Sequence, residues 1–155
     1  MHIFKQLRPR DINLEIGISN VGNSLDYYQF DEPALNGFSA DLSLARERQG
    51  ISSIINTTKV EPLTLKKLLS EKLPPNQTID FLTVDVEGLD LDVLMSNDWD
   101  LFRPRLVLAE VLVSSLDSIF EHPIVAFMRS QGYRLYSKSM NTAFFITEDQ
   151  LTLMR

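Results

Sequence analysis

Cysteine is absent from this sequence of 155 residues, which excludes disulfides, thiolate catalysis and thiolate metal sites. Long apolar runs are also missing, since none approaches the roughly 20 residues that a membrane-spanning helix needs. The first ten residues contain Lys5, Arg8 and Arg10 without the apolar centre of a secretory signal. We therefore predict no membrane partner, and the absences are compatible with the cytoplasmic location that we predict.

Basic residues are too scattered to form a nucleic-acid-binding surface. The formal net charge is −6, and the densest basic points are Lys66-Lys67 and Arg103/Arg105. Because phosphate backbones are bound through clustered Lys and Arg, we predict no nucleic-acid partner. The chain shows no internal repeat and no linker, so we expect a single domain over residues 1–155.

Glycine is scarce as well, and its spacing excludes phosphate-cradling loops. The six glycines stand at positions 17, 22, 37, 50, 88 and 132, too far apart for Gly-x-Gly-x-x-Gly or a Walker-type loop. A Gly-x-Ser-x-Gly nucleophile elbow is also absent.

The apolar residues that are present predict alternating strands and helices. Ile79–Val86 and Leu106–Val113 are typical of central strands in a parallel sheet, and Leu89–Met95 between them has helical spacing. These three segments predict a βαβ unit. Further strands are predicted at Ile12–Ser19, Leu25–Phe30, Tyr133–Ser137 and Thr142–Thr147, and further helices at Thr64–Lys72 and Ile119–Ser130.

The order of these elements predicts an α/β sheet. We expect Ile12–Ser19 to pair with Leu25–Phe30 across the turn residues between them. The last two strands should form an antiparallel hairpin, and Gly132 is well placed to cap the helix before them.

Acidic residues follow the best predicted strand. In open α/β sheets, ligands bind beyond the carboxyl ends of the parallel strands, which here selects Asp85-Val86-Glu87-Gly88 and Glu110. If the chain stays extended, the side chains of Asp85 and Glu87 leave the same face. Such a pair could bind a cation, act as a base or accept hydrogen bonds from a cofactor.

A structural role is the alternative for these carboxylates. Acidic residues before a helix also cap it and complement its dipole, and Asp90 and Asp92 in the next turn fit that interpretation. His2 and His122 are distant in sequence, and Asp85-x-Glu87 matches no specific metal pattern, so no metal site is predicted.

The segment Ile79–Leu94, followed by Phe102–Glu110, resembles the central block of FkbM-type methyltransferases. In that family a strand reading Ile-Asp-Phe-Leu-Lys-Ile-Asp-Val-Glu-Gly leads into a Glu-Leu-Glu-Val-Leu helix, and Arg-Pro and a strand ending in Glu follow. Weaker likeness extends to Arg8–Leu14, Ile16–Ser19, Phe30–Ser39, Thr64–Leu69 and Asn141–Phe145.

The resemblance implies a Rossmann-like, class I methyltransferase that uses S-adenosylmethionine to methylate a hydroxyl oxygen of a small molecule or glycan. It implies that Asp85 and Val86 lie beside the methionine part of the cofactor and that Glu87 faces the acceptor as a base or orienting group. Asp85 and Glu87 are thus the candidate catalytic residues. Ser19 and Asn20 would lie near the adenine.

The sequence departs from the family pattern at its amino-terminal end. The family's first strand, glycine-rich turn, first helix and second strand should precede Arg8, where only seven residues stand. We therefore expect a partial sheet that lacks the first strands, in a chain that is incomplete at the amino terminus, and the activity of these 155 residues stays open.

Two other functions remain as alternatives. One is a non-enzymatic α/β module that associates with further copies of itself through an unpaired sheet edge near Ile79–Val86. The other is a metal-assisted hydrolase or phosphoryl-transfer enzyme that uses Asp85, Glu87 and Glu110.

Overall fold

The computed structural model describes residues 2–113, 115 and 117–153, which form a mixed α/β structure with two sheets. The strands are β1 (Leu25–Phe30), β2 (Ile54–Val60), β3 (Phe81–Val84), β4 (Leu106–Glu110), β5 (Tyr133–Ser139) and β6 (Thr142–Thr147). The α-helices are α1 (His2–Leu7), α2 (Ala40–Arg48), α3 (Leu65–Lys72), α4 (Asp90–Met95), α5 (Pro123–Ser130) and α6 (Glu148–Leu153). Short 3-10 helices occur at Pro33–Leu35 and Ser118–Glu121.

The larger sheet has four strands in the order β3-β4-β6-β5. Strands β3 and β4 are parallel, with Phe81 opposite Leu106 and Val84 opposite Ala109, and α4 connects them. Strand β6 runs antiparallel to both β4 and β5. The predicted βαβ unit and the final antiparallel hairpin are therefore confirmed, and β3 stands at one edge of this sheet.

The smaller sheet corrects the predicted pairing at the amino-terminal side. Strand β1 pairs antiparallel with β2, not with Ile12–Ser19, and Leu25 lies opposite Val60. Within the described residues, segment 12–19 forms a single parallel bridge, Ile18 with Leu63, so the strand predicted there is wrong. A strand requires a neighbour for its backbone N–H and C=O groups, and this segment finds one only at that bridge.

Proline divides the helix that was predicted over Ile119–Ser130. A 3-10 helix covers Ser118–Glu121, and α5 begins at Pro123 after an extended His122. A residue before proline avoids the helical region, which explains the break. Phe120, in the 3-10 helix, is 57% exposed. Gly132 has φ +79° just beyond α5, as predicted for the cap.

The hydrophobic core lies against the four-stranded sheet. Strand β4 is central, with Val107 and Ala109 fully buried. The indole of Trp99 meets the Tyr133 ring edge-on at 5.4 Å and donates a hydrogen bond from Nε1 to the carbonyl of Leu94. This packing fixes β3, β4 and α4, and with them the segments that leave the carboxyl ends of the two parallel strands.

In the part of the chain that the structure describes, every helix is too short or too polar to cross a bilayer.

Candidate functional site

The turn after β3 is the centre of the site. Asp85 and Val86 follow the last strand residue, Val84; then Glu87 and Gly88 have φ values of +53° and +95°. The left-handed region is unfavourable for a residue with a side chain, by about 1–2 kcal/mol. Because Glu87 is left-handed, the extended geometry assumed for Asp85 and Glu87 does not hold.

Glu87 is held by an arginine from α2. The Arg46 guanidinium lies 2.5 Å from Oε2 of Glu87, and both side chains are partly buried. Nη1 of Arg46 also donates to the carbonyl of Leu35 at 3.2 Å, so the cation is fixed from two sides. No motif around Arg46 indicated this contact, because its segment carried no clear pattern in the sequence.

A second contact joins the two strand ends. The backbone N–H of Glu110, at the end of β4, donates to Oδ1 of Asp90 in the first turn of α4 at 3.3 Å. Asp90 is only 3% exposed. Burial raises the pKa of Asp90, while backbone hydrogen bonds, that of Glu110 first, oppose the increase.

Glu110 belongs to the same electrostatic group. Burial raises the pKa of its carboxyl group, and the negative charges of Asp85, Asp90 and Glu87 raise it further, while Arg46 opposes them. Four carboxylates therefore influence one another at the carboxyl ends of β3 and β4. Among the described residues, however, no group of three or more side chains is arranged to hold a metal ion.

Helix capping does not explain Asp85 and Glu87. The residue at the cap position of α4 is Leu89, and no side chain makes a capping hydrogen bond there. Asp90 and Asp92 do lie in the first turn of α4, where their charges complement the helix dipole.

Ser19 and Asn20 come to the same helix from a distant part of the chain. Oγ of Ser19 donates to Oδ2 of Asp92 at 2.5 Å, and the backbone N–H of Asn20 donates to the same oxygen at 3.1 Å. The strand that they were expected to end is not formed. The structure nevertheless attaches both residues to the first turn of α4, directly after the turn that carries Asp85 and Val86.

A cleft of about 210 Å³ opens beside this turn, between the end of β4 and the start of α5. Its lining comprises Gly88, Asp90, Leu91, Glu110, Leu112, His122, Pro123 and Ile124. His122 was not predicted as a site residue, because it is distant from Asp85 along the chain and no motif connects the two.

His122 has a defined protonation state in this cleft. Nδ1 accepts a hydrogen bond from the backbone N–H of Ile124 at 3.3 Å and thereby caps α5. Burial lowers the pKa of His122, and Asp90 opposes this effect, so the ring is neutral at pH 7. Because Nδ1 is the acceptor, the ring proton lies on Nε2.

The chain matches a known protein family over most of its length. The methyltransferase FkbM domain matches residues 4–135, which include both Ser19 and the Asp85–Gly88 turn. No curated protein and no solved structure matches the chain. The match covers most of the sequence, and the chain therefore belongs to the FkbM methyltransferase domain family.

Proposed function

We propose that this chain is an S-adenosylmethionine-dependent methyltransferase of Rossmann-like, class I type that methylates a hydroxyl oxygen of a small molecule or glycan. The observation that carries the proposal is the acidic Asp85–Gly88 turn, which follows a parallel strand within the region that matches the FkbM domain. Ligands of open α/β sheets bind at this edge. The net charge of −6 argues against a nucleic-acid acceptor.

The charge of the turn suits the methionine part of the cofactor. S-adenosylmethionine carries a positive sulfonium and a positive ammonium group there, and the site contributes the carboxylates of Asp85, Glu87, Asp90 and Glu110. Opposite charges at short distance attract strongly where water is partly excluded. For the carboxylate end of the cofactor the sequence offers no glycine-rich turn, so the fit rests on its cationic part.

The proposed roles of the residues follow from their positions. Asp85 and Val86 would bind the methionine part, and Ser19 and Asn20 would lie on the adenine side of α4. When bound, the cofactor would supply an electrophilic methyl group on its sulfonium sulfur. Glu87, oriented by Arg46, would accept the proton or hydrogen bond of the acceptor hydroxyl as its oxygen gains the methyl group.

Calorimetric titration of S-adenosylmethionine, and separately of S-adenosylhomocysteine, into the 155-residue protein tests this proposal. We expect binding at micromolar strength that Asp85→Ala weakens by about tenfold or more, because a charge at the binding site is lost. Asp80→Ala is the matched control, since Asp80 lies before β3 in an exposed ion pair with Arg105. A folded protein that produces no heat with either ligand contradicts the proposal.

Association through the edge of β3 is a second candidate function. Strand β3 pairs with β4 on one side, and the Phe81 side chain is 63% exposed. An open strand edge offers backbone hydrogen bonds to a second copy of the chain. Sedimentation of the calorimetry samples separates the two functions, because a stable oligomer without cofactor binding favours association.

A further inference from the structure

The cleft beside Gly88 has two kinds of wall. One wall is apolar and consists of Leu91, Leu112, Pro123 and Ile124. The other carries the polar groups of Asp90, Glu110 and His122. Small-molecule sites commonly combine a mainly apolar lining with a few polar groups that orient the ligand. The volume of about 210 Å³ suits a small ligand or one end of a larger one.

The polar groups of this cleft match a hydroxyl group. The Nδ1 atom of His122 is occupied by the Ile124 N–H, so the neutral ring offers its Nε2–H as a donor. The carboxylate of Glu110 is an acceptor, while the backbone N–H of the same residue is already bound to Asp90. A hydroxyl both donates and accepts hydrogen bonds, so its chemistry matches both of these groups.

The charges around the cleft disfavour an anionic ligand. Asp85, Asp90 and Glu87 all act on Glu110 as negative charges, and the cation that offsets them, Arg46, is paired with Glu87. These carboxylates would repel a phosphate or carboxylate group on a ligand bound in the cleft. An ammonium group would be attracted, but it has no acceptor for the Nε2–H of His122.

We infer that this cleft is the acceptor subsite of the protein and that it takes an uncharged hydroxyl group on an apolar body, bound between Glu110 and His122. The inference rests on the proposed methyltransferase function. Gly88 lines the cleft and directly follows Glu87 in the chain, so the cleft opens beside the turn that carries the proposed base.

Titration of the full chain with three probes, followed by the backbone amide signals in NMR, tests the inference without cofactor. The probes are benzyl alcohol, benzoate and benzylamine, which share a ring and differ in the group that it carries. We expect benzyl alcohol to shift the signals of Gly88, Leu112 and Ile124 most. Benzylamine should shift them less, because it leaves the Nε2–H of His122 without an acceptor, and benzoate should leave them unchanged. Shifts with benzoate equal to those with the alcohol, or no shifts with the alcohol, overturn the inference.

Two variants test the assigned contacts. Glu110→Gln should weaken benzyl alcohol binding by about tenfold, because hydrogen bonds to a charged group are stronger than those to a neutral one. His122→Asn retains a side-chain oxygen that caps α5 and removes the ring donor, so it should also weaken binding. Glu121→Gln is the control, since Glu121 is exposed and outside the cleft lining. Unchanged alcohol binding in both folded cleft variants overturns the inference.

The two proposals fail in different ways. Cofactor binding by calorimetry without alcohol binding overturns the acceptor subsite and leaves methyl transfer standing. Alcohol binding that depends on Glu110 and His122, without cofactor binding, supports a hydroxyl-binding cleft and contradicts methyl transfer by this chain.

Discussion

Two segments with strand-like apolar patterns, 12–19 and 79–86, lie in different surroundings. Strand β3, in the second segment, pairs with the central strand β4 and buries Val84 in the core. The first segment has one bridge to Leu63 and leaves Ile12, Leu14 and Ile16 at 65%, 42% and 41% exposure. An alternating pattern indicates a tendency towards strand, but a paired neighbour and a core face decide whether the strand forms.

The same contrast separates two larger regions of the molecule. The main hydrophobic cluster belongs to residues 65–145, while in the β1–β2 sheet Phe30 is buried but Ile55 is largely exposed. Polar contacts connect the two regions at the site itself: Ser19 binds Asp92, and Arg46 binds Glu87. The packed region therefore positions the acidic turn, and the less packed region contributes the side chains that hold it.

Truncating one apolar side chain in each region should give the largest difference in the free energy of unfolding. Phe145→Ala should lower the free energy of unfolding by about 3–5 kcal/mol, because Phe145 is fully buried in β6. Ile12→Ala should change it by about 0.5 kcal/mol or less, because its side chain is exposed. Urea unfolding measures both variants. A cost above roughly 2 kcal/mol for Ile12→Ala would mean that segment 12–19 is packed in solution.

Replacing a glycine by alanine in a turn of each region should have an intermediate effect on stability. Gly88→Ala should destabilise the protein by about 1–2 kcal/mol, because Gly88 has φ +95°. At Gly22 an added Cβ meets no atom within 4 Å, and Ala should be neutral or stabilising by about 0.4–1 kcal/mol. Thermal unfolding compares the two variants, and equal losses of stability would contradict the left-handed turn at Gly88.

Local pattern was sufficient for the elements of the packed region. The helix predicted over Thr64–Lys72 forms at Leu65–Lys72, and the side chain of its cap residue, Thr64, accepts from the N–H of Lys67. Helix α4 and the β5–β6 hairpin also lie where expected. Strand β2 was not predicted, because Ile54–Val60 has mostly exposed side chains and its pairing with β1 joins distant parts of the chain. A pairing of that kind leaves no periodic signal in the sequence.

The sequence predicted where the site lies, but not which side chains contact one another there. The rule for open α/β sheets selected Asp85, Glu87 and Glu110, which the structure places at adjoining strand ends. Arg46 and His122 were missed, since each reaches the site through the fold from a segment without a motif. The left-handed conformation of Glu87 was missed as well, because nothing in an acidic side chain indicates it.

The smallest expected effect concerns the pH dependence of stability and centres on Asp90. Burial raises its pKa above the ordinary 3.8, so the folded protein holds this proton more tightly than the unfolded chain does. Its contribution to the free energy of unfolding is therefore greatest below about pH 3.8 and declines as the pH rises through the higher pKa of the folded state. Hydrogen bonds from the backbone oppose the burial effect and so limit this decline.

Asp90→Asn isolates this contribution, because the amide has nearly the same shape and keeps an oxygen for the N–H of Glu110. We expect the variant to lose less stability than the wild type between about pH 4 and pH 6, both by removing the buried acid and by lowering the pKa of Glu110. Urea unfolding at several pH values measures the slope, with Asp100→Asn as an exposed control for the lost charge. An unchanged slope in Asp90→Asn would mean that water reaches this carboxylate, and that the packed region ends before the turn instead of supporting it.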